Sequence, residues 1–219
     1  MKLLKTLLAT AVAVSAVPAM AYEAGDIMVK VGAVQVTPKD GNADTSPVTT
    51  IKVGAPDKSE LDIDSDTQLG LTLTYMVTPK IGVEVLAATP FEHTAEIDGG
   101  GADGAEILTT KHLPPTVSAQ YYFMDSASPI QPYVGLGVNH TFFFDEDDTG
   151  VINSKGLKPS WGLAYSLGVN YDINEDWLIN AAVWKMDIDT EVKGGDADGL
   201  EVEIDPTVLF VGVGYKFGL

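Results

Sequence analysis

From residue 27 onward, apolar side chains recur at every second position, the period of a β-strand whose two faces meet different surroundings. Ile27, Val29, Val31 and Ala33 alternate with Met28, Lys30 and Gly32. Leu69, Leu71, Leu73 and Tyr75 alternate with Gln68, Gly70, Thr72 and Thr74, and after the short turn Thr78-Pro79-Lys80 the same holds for Ile81, Val83, Val85 and Ala87 against Gly82, Glu84, Leu86 and Ala88. Val117, Ala119, Tyr121 and Phe123 oppose Thr116, Ser118, Gln120 and Tyr122. Val134, Leu136 and Val138, continued by His140, Phe142 and Phe144, oppose Gly135, Gly137, Asn139 and Thr141. Further strands run from Trp161 to Tyr171, from Trp177 to Asp189 and from Leu209 to Phe217, so the pattern predicts eight strands.

These runs are about ten residues long, more than a soluble sandwich strand requires and the length that crosses a bilayer at a tilt. Tyr121, Phe123, Tyr171, Trp177, Tyr215 and Phe217 fall beside the short turns, and Phe142, Phe144 and Trp161 fall at the opposite ends. Two aromatic girdles around an apolar band have a purpose in a membrane and none in a soluble lipocalin-like barrel. Connections alternate in the same sense: those with Pro79, Pro129 and Asn174 are short, whereas residues 38–65, 92–111, 145–158 and 190–203 read as long acidic loops. The expected fold is therefore all-β, an eight-stranded antiparallel transmembrane β-barrel with short periplasmic turns and long acidic outer loops.

The N-terminus agrees with export. Lys2 and Lys5 precede an apolar run from Leu7 to Val17, Pro18 ends it, and Ala19-Met20-Ala21 supplies small residues for cleavage before Tyr22. A signal peptide over 1–21 and a barrel domain over 22–219 follow; the apolar run is too short for an uncleaved anchor. No later segment reads as a membrane helix, because the uncharged stretch 126–144 is broken by Pro129, Pro132, Gly135 and Gly137.

Composition narrows the chemistry. The 219 residues include no cysteine, which excludes disulfides and thiolate metal sites, and a net charge of −18 repels nucleic acid. Asp62-Ile63-Asp64-Ser65-Asp66 begins like a calcium loop, but Thr67 stands where the turn needs glycine and Leu73 where a bidentate glutamate belongs. His93, His112 and His140 lie on separate segments with no metal-binding spacing, and no nucleophile stands beside them in a way that suggests catalysis. Neither a cofactor nor a resident metal is expected. Asp145-Glu146-Asp147-Asp148 reads as a solvated loop, and such loops can bridge through divalent cations to anionic lipopolysaccharide.

Function then depends on the inner face. Asn180 would be costly in hydrocarbon, so Leu178, Ala182, Trp184 and Met186 share its inward phase, as do Leu86 and Ala88 on their strand. Leu86, Leu178, Trp184 and Met186 among glycine, serine and threonine predict an apolar constriction, or else a simple filling of the lumen in a structural or stress-associated surface barrel. Pro90, Pro114 and Pro115 remove ladder hydrogen bonds near the outer ends of two consecutive strands and mark a candidate lateral opening.

Several blocks also resemble the OmpW family of outer-membrane proteins: Glu23-Ala24-Gly25-Asp26, Thr67-Gln68-Leu69-Gly70-Leu71-Thr72, Ile81 through Phe91, His112-Leu113-Pro114-Pro115-Thr116, Pro132-Tyr133-Val134-Gly135, and Asp176 through Thr190. The resemblance spans the chain after residue 22 apart from the outer loops. It implies an eight-stranded barrel in the outer membrane of a Gram-negative bacterium, inserted by the barrel-assembly machinery, with a narrow apolar interior that passes small hydrophobic molecules. It also implies that Leu86 and Trp184 stand where the family has a hydrophobic gate. The chain departs from the family at its end, where Phe217 is followed by Gly218-Leu219 instead of closing on an aromatic residue.

Overall fold

The computed structural model describes residues 22–39, 41, 43–44, 60–100, 103–148 and 154–218. The expected signal peptide at 1–21 and the terminal Leu219 lie outside the described residues. In chain order the strands are β1 (Ile27–Thr37), β2 (Ala43–Asp44), β3 (Glu60–Ile63), β4 (Asp66–Thr78), β5 (Ile81–Ala88), β6 (Phe91–Asp98) and β7 (Glu106–Leu113). They continue as β8 (Thr116–Tyr122), β9 (Ile130–Asp148), β10 (Ser160–Asp172), β11 (Trp177–Met186), β12 (Asp189–Glu191), β13 (Glu201–Glu203) and β14 (Thr207–Phe217).

Eight of these close on themselves. β1 pairs with β4, and the sheet continues through β5, β8, β9, β10, β11 and β14, which returns to β1, every pairing antiparallel. Closure leaves none of the eight strands without two paired neighbours, the condition a β-structure must meet to span a membrane. The outward phase is the apolar one: Leu71, Leu136, Leu167 and Val211 are all exposed on the wall. Around the short turns Tyr121 packs edge-on against Phe123 at 5.4 Å and Trp177 against Tyr215 at 5.1 Å, and near the other rim His140 stacks on Trp161 at 3.9 Å.

Leu71 tests this assignment. It sits midway along β4, opposite Val31 on one side and Ala87 on the other, with 48% of its surface exposed. Leu71→Arg should lower the unfolding free energy in lipid vesicles by about 2–4 kcal/mol, whereas Asp62→Arg, on an exposed outer face, should stay within about 0.5 kcal/mol. Equal effects would remove the lipid from this face.

Beyond the outer rim the structure departs from the expected long loops. β6 and β7 form a hairpin over most of 92–111, β3 adds to β6, β7 adds to the outer end of β9, and β12 pairs with β13. The physical reason is a second alternation, of acid with apolar residue: Glu60-Leu61-Asp62-Ile63, Glu96-Ile97-Asp98 and Glu201-Val202-Glu203-Ile204. Leu61, Ile97, Val202 and Ile204 are buried inside this extension while Glu60, Asp62, Glu96, Asp98, Glu201 and Glu203 are held away from it. The acidic surface thus coats an apolar interior that continues the barrel outward.

Candidate functional site

The lumen divides into two halves of opposite chemistry. Toward the short turns it is polar and sealed. Lys30 on β1 and Glu84 on β5 are 0% and 1% exposed and form an ion pair, Nζ to Oε2, at 2.7 Å. The same carboxylate accepts hydrogen bonds from Thr74 Oγ1 at 2.9 Å and Gln120 Nε2 at 2.7 Å, and Tyr122 donates its hydroxyl to Gln120 Oε1 at 2.8 Å. Across the bore the ammonium of Lys30 lies 5.6 Å from the centre of the Tyr133 ring, whose hydroxyl accepts from Asn180. Asn180 donates to Asn170 at 2.7 Å, and Asn170 donates to Tyr22 at 3.0 Å. Gly168 makes room for this floor: a Cβ there would fall 2.3 Å from Cζ of Tyr133.

The outer half is apolar. Val34, Val36, Val208 and Phe210 face inward from the neighbouring strands β1 and β14, and Trp184 meets Phe210 edge-on at 6.4 Å. Met186 crosses to Thr116, its sulfur accepting from Oγ1 at 3.9 Å, and Thr116 is the register partner of Leu86. Between Val34, Val36, Leu86, Ala88, Phe91, Pro114, Met186 and Val208 only a narrow crevice remains. Above it the extension surrounds an apolar vestibule, partly open to solvent and lined by side chains that include Leu61, Ile63, His93, Ile107, His112, Phe143, Val202 and Ile204.

The wall beside the crevice is interrupted. The ladder between β5 and β8 ends at Leu86 and Thr116, and the ladder between β6 and β7 resumes at Phe91 and His112. The intervening seam consists of residues 87–90 on one side and 113–115 on the other. Pro90, Pro114 and Pro115 contribute no N–H to it. Both outer neighbours stay attached: Ala87 and Ala88 pair with β4, and the carbonyls of Pro114 and Pro115 accept from Asn139 Nδ2 and His140 N.

Of the residues singled out by sequence, Leu86, Trp184 and Met186 lie in the apolar half, and Pro90, Pro114 and Pro115 share the seam beside them. Leu178 does not join this group. It pairs with Gly214 and Asp172 near the short turns and packs with Lys30 over Gly214, where a Cβ would meet both side chains within 2.8 Å. The lumen is also fuller than glycine, serine and threonine would make it, because Met28, Val34, Met76, Tyr122, Tyr133 and Phe210 all point inward and are at most 1% exposed. Lys30 and Glu84 carry the clearest overlooked signal: two charged residues in the inward phase of the two strands that flank β4, which a closed barrel must pair.

At the vestibule base His93, His112 and Phe91 form a stack, with 4.9 Å between the two imidazoles and 5.4 Å from His112 to Phe91. Burial first, and then the neighbouring His93, push the His112 imidazole down to about 3, so it is neutral at ordinary pH and behaves as an aromatic wall.

Comparison with known proteins fits this architecture. A family model described as the OmpW family matches residues 23–217. Outer membrane protein W of Vibrio cholerae is 43% identical over 220 residues, covering 96% of this chain and 97% of that protein. The crystal structure of the outer membrane protein OprG from Pseudomonas aeruginosa superposes with a TM-score of 0.77 at 42% identity, covering 91% of this chain and 99% of that one. Outer membrane protein AlkL, known from Ectopseudomonas oleovorans, is more distant: its solid-state NMR structure in DMPC bilayers gives a TM-score of 0.67 at 26% identity, covering 90% of this chain and 92% of that one.

Proposed function

The chain belongs to the OmpW family of Gram-negative outer-membrane barrels, and on that premise we propose that it is a passive conduit for small hydrophobic molecules. The observation that carries the proposal is the stacking of an apolar half-lumen on a sealed polar floor, with an interrupted wall at the boundary. An apolar solute entering the vestibule exchanges water for Leu61, Ile63, Ile107 and Val202, a gain proportional to the apolar area removed from water. At the crevice Val34, Leu86, Phe91, Met186 and Val208 offer only apolar surface and an aromatic ring. Going straight on would set an apolar solute against the Lys30–Glu84 network and leave hydrogen-bonded groups without partners, so the axial route is closed to it. The seam at residues 87–90 and 113–115 is the remaining exit, sideways into the lipid, where the solute is already at home.

The acidic rim suits this task, since its net charge repels anions while leaving uncharged solutes indifferent. Its carboxylates also fit a role in holding divalent cations against lipopolysaccharide, and β14 is the strand that the assembly machinery would read at the C-terminus. A second reading, a structural surface barrel with a plugged interior, draws on the fully buried polar floor.

Ala88 separates the two. It faces the crevice from β5 with little bulk of its own. Ala88→Trp should reduce uptake of a small hydrocarbon into proteoliposomes to the level of protein-free vesicles while the barrel still shows its heat-dependent gel mobility. Wild-type protein that gives no uptake above empty vesicles would leave the structural barrel standing; unaltered uptake in the variant would move the exit elsewhere.

A further inference from the structure

The vestibule is apolar, but among the described residues His93 brings a buried polar atom without a partner to its wall. His93 is 4% exposed, and its Nδ1 lies 2.6 Å from the carbonyl oxygen of Asp64. A carbonyl can only accept, so Nδ1 must carry the proton of this contact. In the neutral imidazole that leaves Nε2 as a bare lone pair. Nε2 is buried and has no hydrogen-bond partner among the described residues. The stack on His112, 4.9 Å between centroids with the planes 13° apart, holds the ring in one orientation, and the bond to Asp64 fixes its tautomer. Such a lone pair in an apolar pocket costs free energy until a donor reaches it.

We infer that the vestibule selects apolar molecules carrying one hydroxyl group, an aliphatic alcohol or a phenol, which donates its O–H to His93 Nε2 while its hydrocarbon body lies against Leu61, Ile107 and Phe143. A pure hydrocarbon fills the same space but leaves Nε2 unpaired. A carboxylate presents lone pairs to a lone pair and brings its charge near the Asp64 carboxylate, whose Oδ1 is 3.6 Å from Nδ1. The inference deepens the conduit reading by naming the solute class that the entrance prefers, and it assigns to His93 a role in choosing the solute, apart from the crevice and the seam.

The test uses three probes of nearly one shape, 4-methylphenol, 1,4-dimethylbenzene and 4-methylbenzoate, titrated into the full barrel in lipid nanodiscs. Comparing the phenol-to-hydrocarbon affinity ratio between wild type and His93→Phe cancels the unequal hydration of the probes. That ratio should be about tenfold higher in wild type, the size of one hydrogen bond to a buried acceptor. His112→Phe keeps the acceptor and should keep the ratio, which separates the hydrogen bond from the packing of the stack. The ¹⁵N resonance of His93 Nε2 should move on adding the phenol and stay put with the hydrocarbon. A ratio unchanged by His93→Phe, a resonance that ignores the phenol, or tighter binding of the benzoate would each overturn the inference. Uptake of 1,4-dimethylbenzene by the same proteins reads the conduit independently. If wild type shows the phenol preference but no uptake, the conduit reading fails and the binding site stands; if uptake proceeds with no phenol preference, the site fails and the conduit stands.

Discussion

Lys30→Met should lower the unfolding free energy of the barrel by about 3–5 kcal/mol, the cost of leaving one member of a buried ion pair uncompensated. Glu84 is 1% exposed, and without the ammonium its remaining partners are the neutral groups of Thr74 and Gln120. Two hydrogen bonds do not replace a counter-charge at a site this deeply buried. The paired change Lys30→Met with Glu84→Gln removes both charges and should recover most of the loss, because the desolvation cost of two ions disappears with their attraction. Denaturant unfolding in lipid vesicles measures both. If the single variant is no worse than the double one, the floor is not held by charge and its closure needs another explanation. If the single variant instead gains ion conductance in planar bilayers, water has followed the orphaned carboxylate into the bore, which is the same prediction seen from the transport side.

Charge also explains why the wall was easier to read than the lumen. A lipid-facing side chain has one partner, hydrocarbon, and the requirement falls on every second residue, so Leu69, Leu71 and Leu73 announce their face by themselves. Inward residues answer to partners on other strands, and those partners depend on the stagger of the barrel. Leu178, Trp184 and Met186 share one face of one strand, with Leu178 at its turn end and Met186 at its outer end. What the strand alone does not contain is the partner each meets, Lys30 over Gly214 for Leu178 and Thr116 for Met186. Lys30 and Glu84 are a middle case: their inward phase is legible, and a closed barrel obliges two such charges to meet, but their adjacency requires knowing that β1 and β5 both flank β4.

The outer extension was legible for a different reason and was obscured by composition. Acidic and glycine-rich stretches resemble loops as long as residues are counted by type. Taken by position, Glu201-Val202-Glu203-Ile204 alternates as strictly as any strand in the wall, with water now on one face and the vestibule on the other. The carboxylates hold one face in solvent and so force the apolar residues inward. A surface that looks like charge is therefore what encloses the apolar entrance.

Shortening Leu86 and Trp184 together to alanine should accelerate uptake of a small apolar solute several-fold, with a stability loss smaller than about 3–5 kcal/mol, the usual cost of Trp→Ala in a sealed core. The bulk around the pair makes the experiment sharper than glycine-lined surroundings would have. Val34, Val208, Phe210 and Met186 remain in place, so the deletion widens the crevice without emptying the lumen. Trp184 has an indole nitrogen with no hydrogen-bond partner among the described residues, and its removal leaves no polar group newly stranded. Closure of the barrel is a property of the ladder, where Trp184 pairs through its backbone with Ser166 and Val208 whatever its side chain. A gate residue can therefore be cut back at little cost to the fold, whereas a core residue cannot. Uptake rate and unfolding midpoint must be read on the same variant, since the two roles predict opposite pairs of results. Unchanged uptake with a full core-sized loss of stability would make Leu86 and Trp184 filling, and the outer half-lumen would then be a plug continuous with the polar floor beneath it.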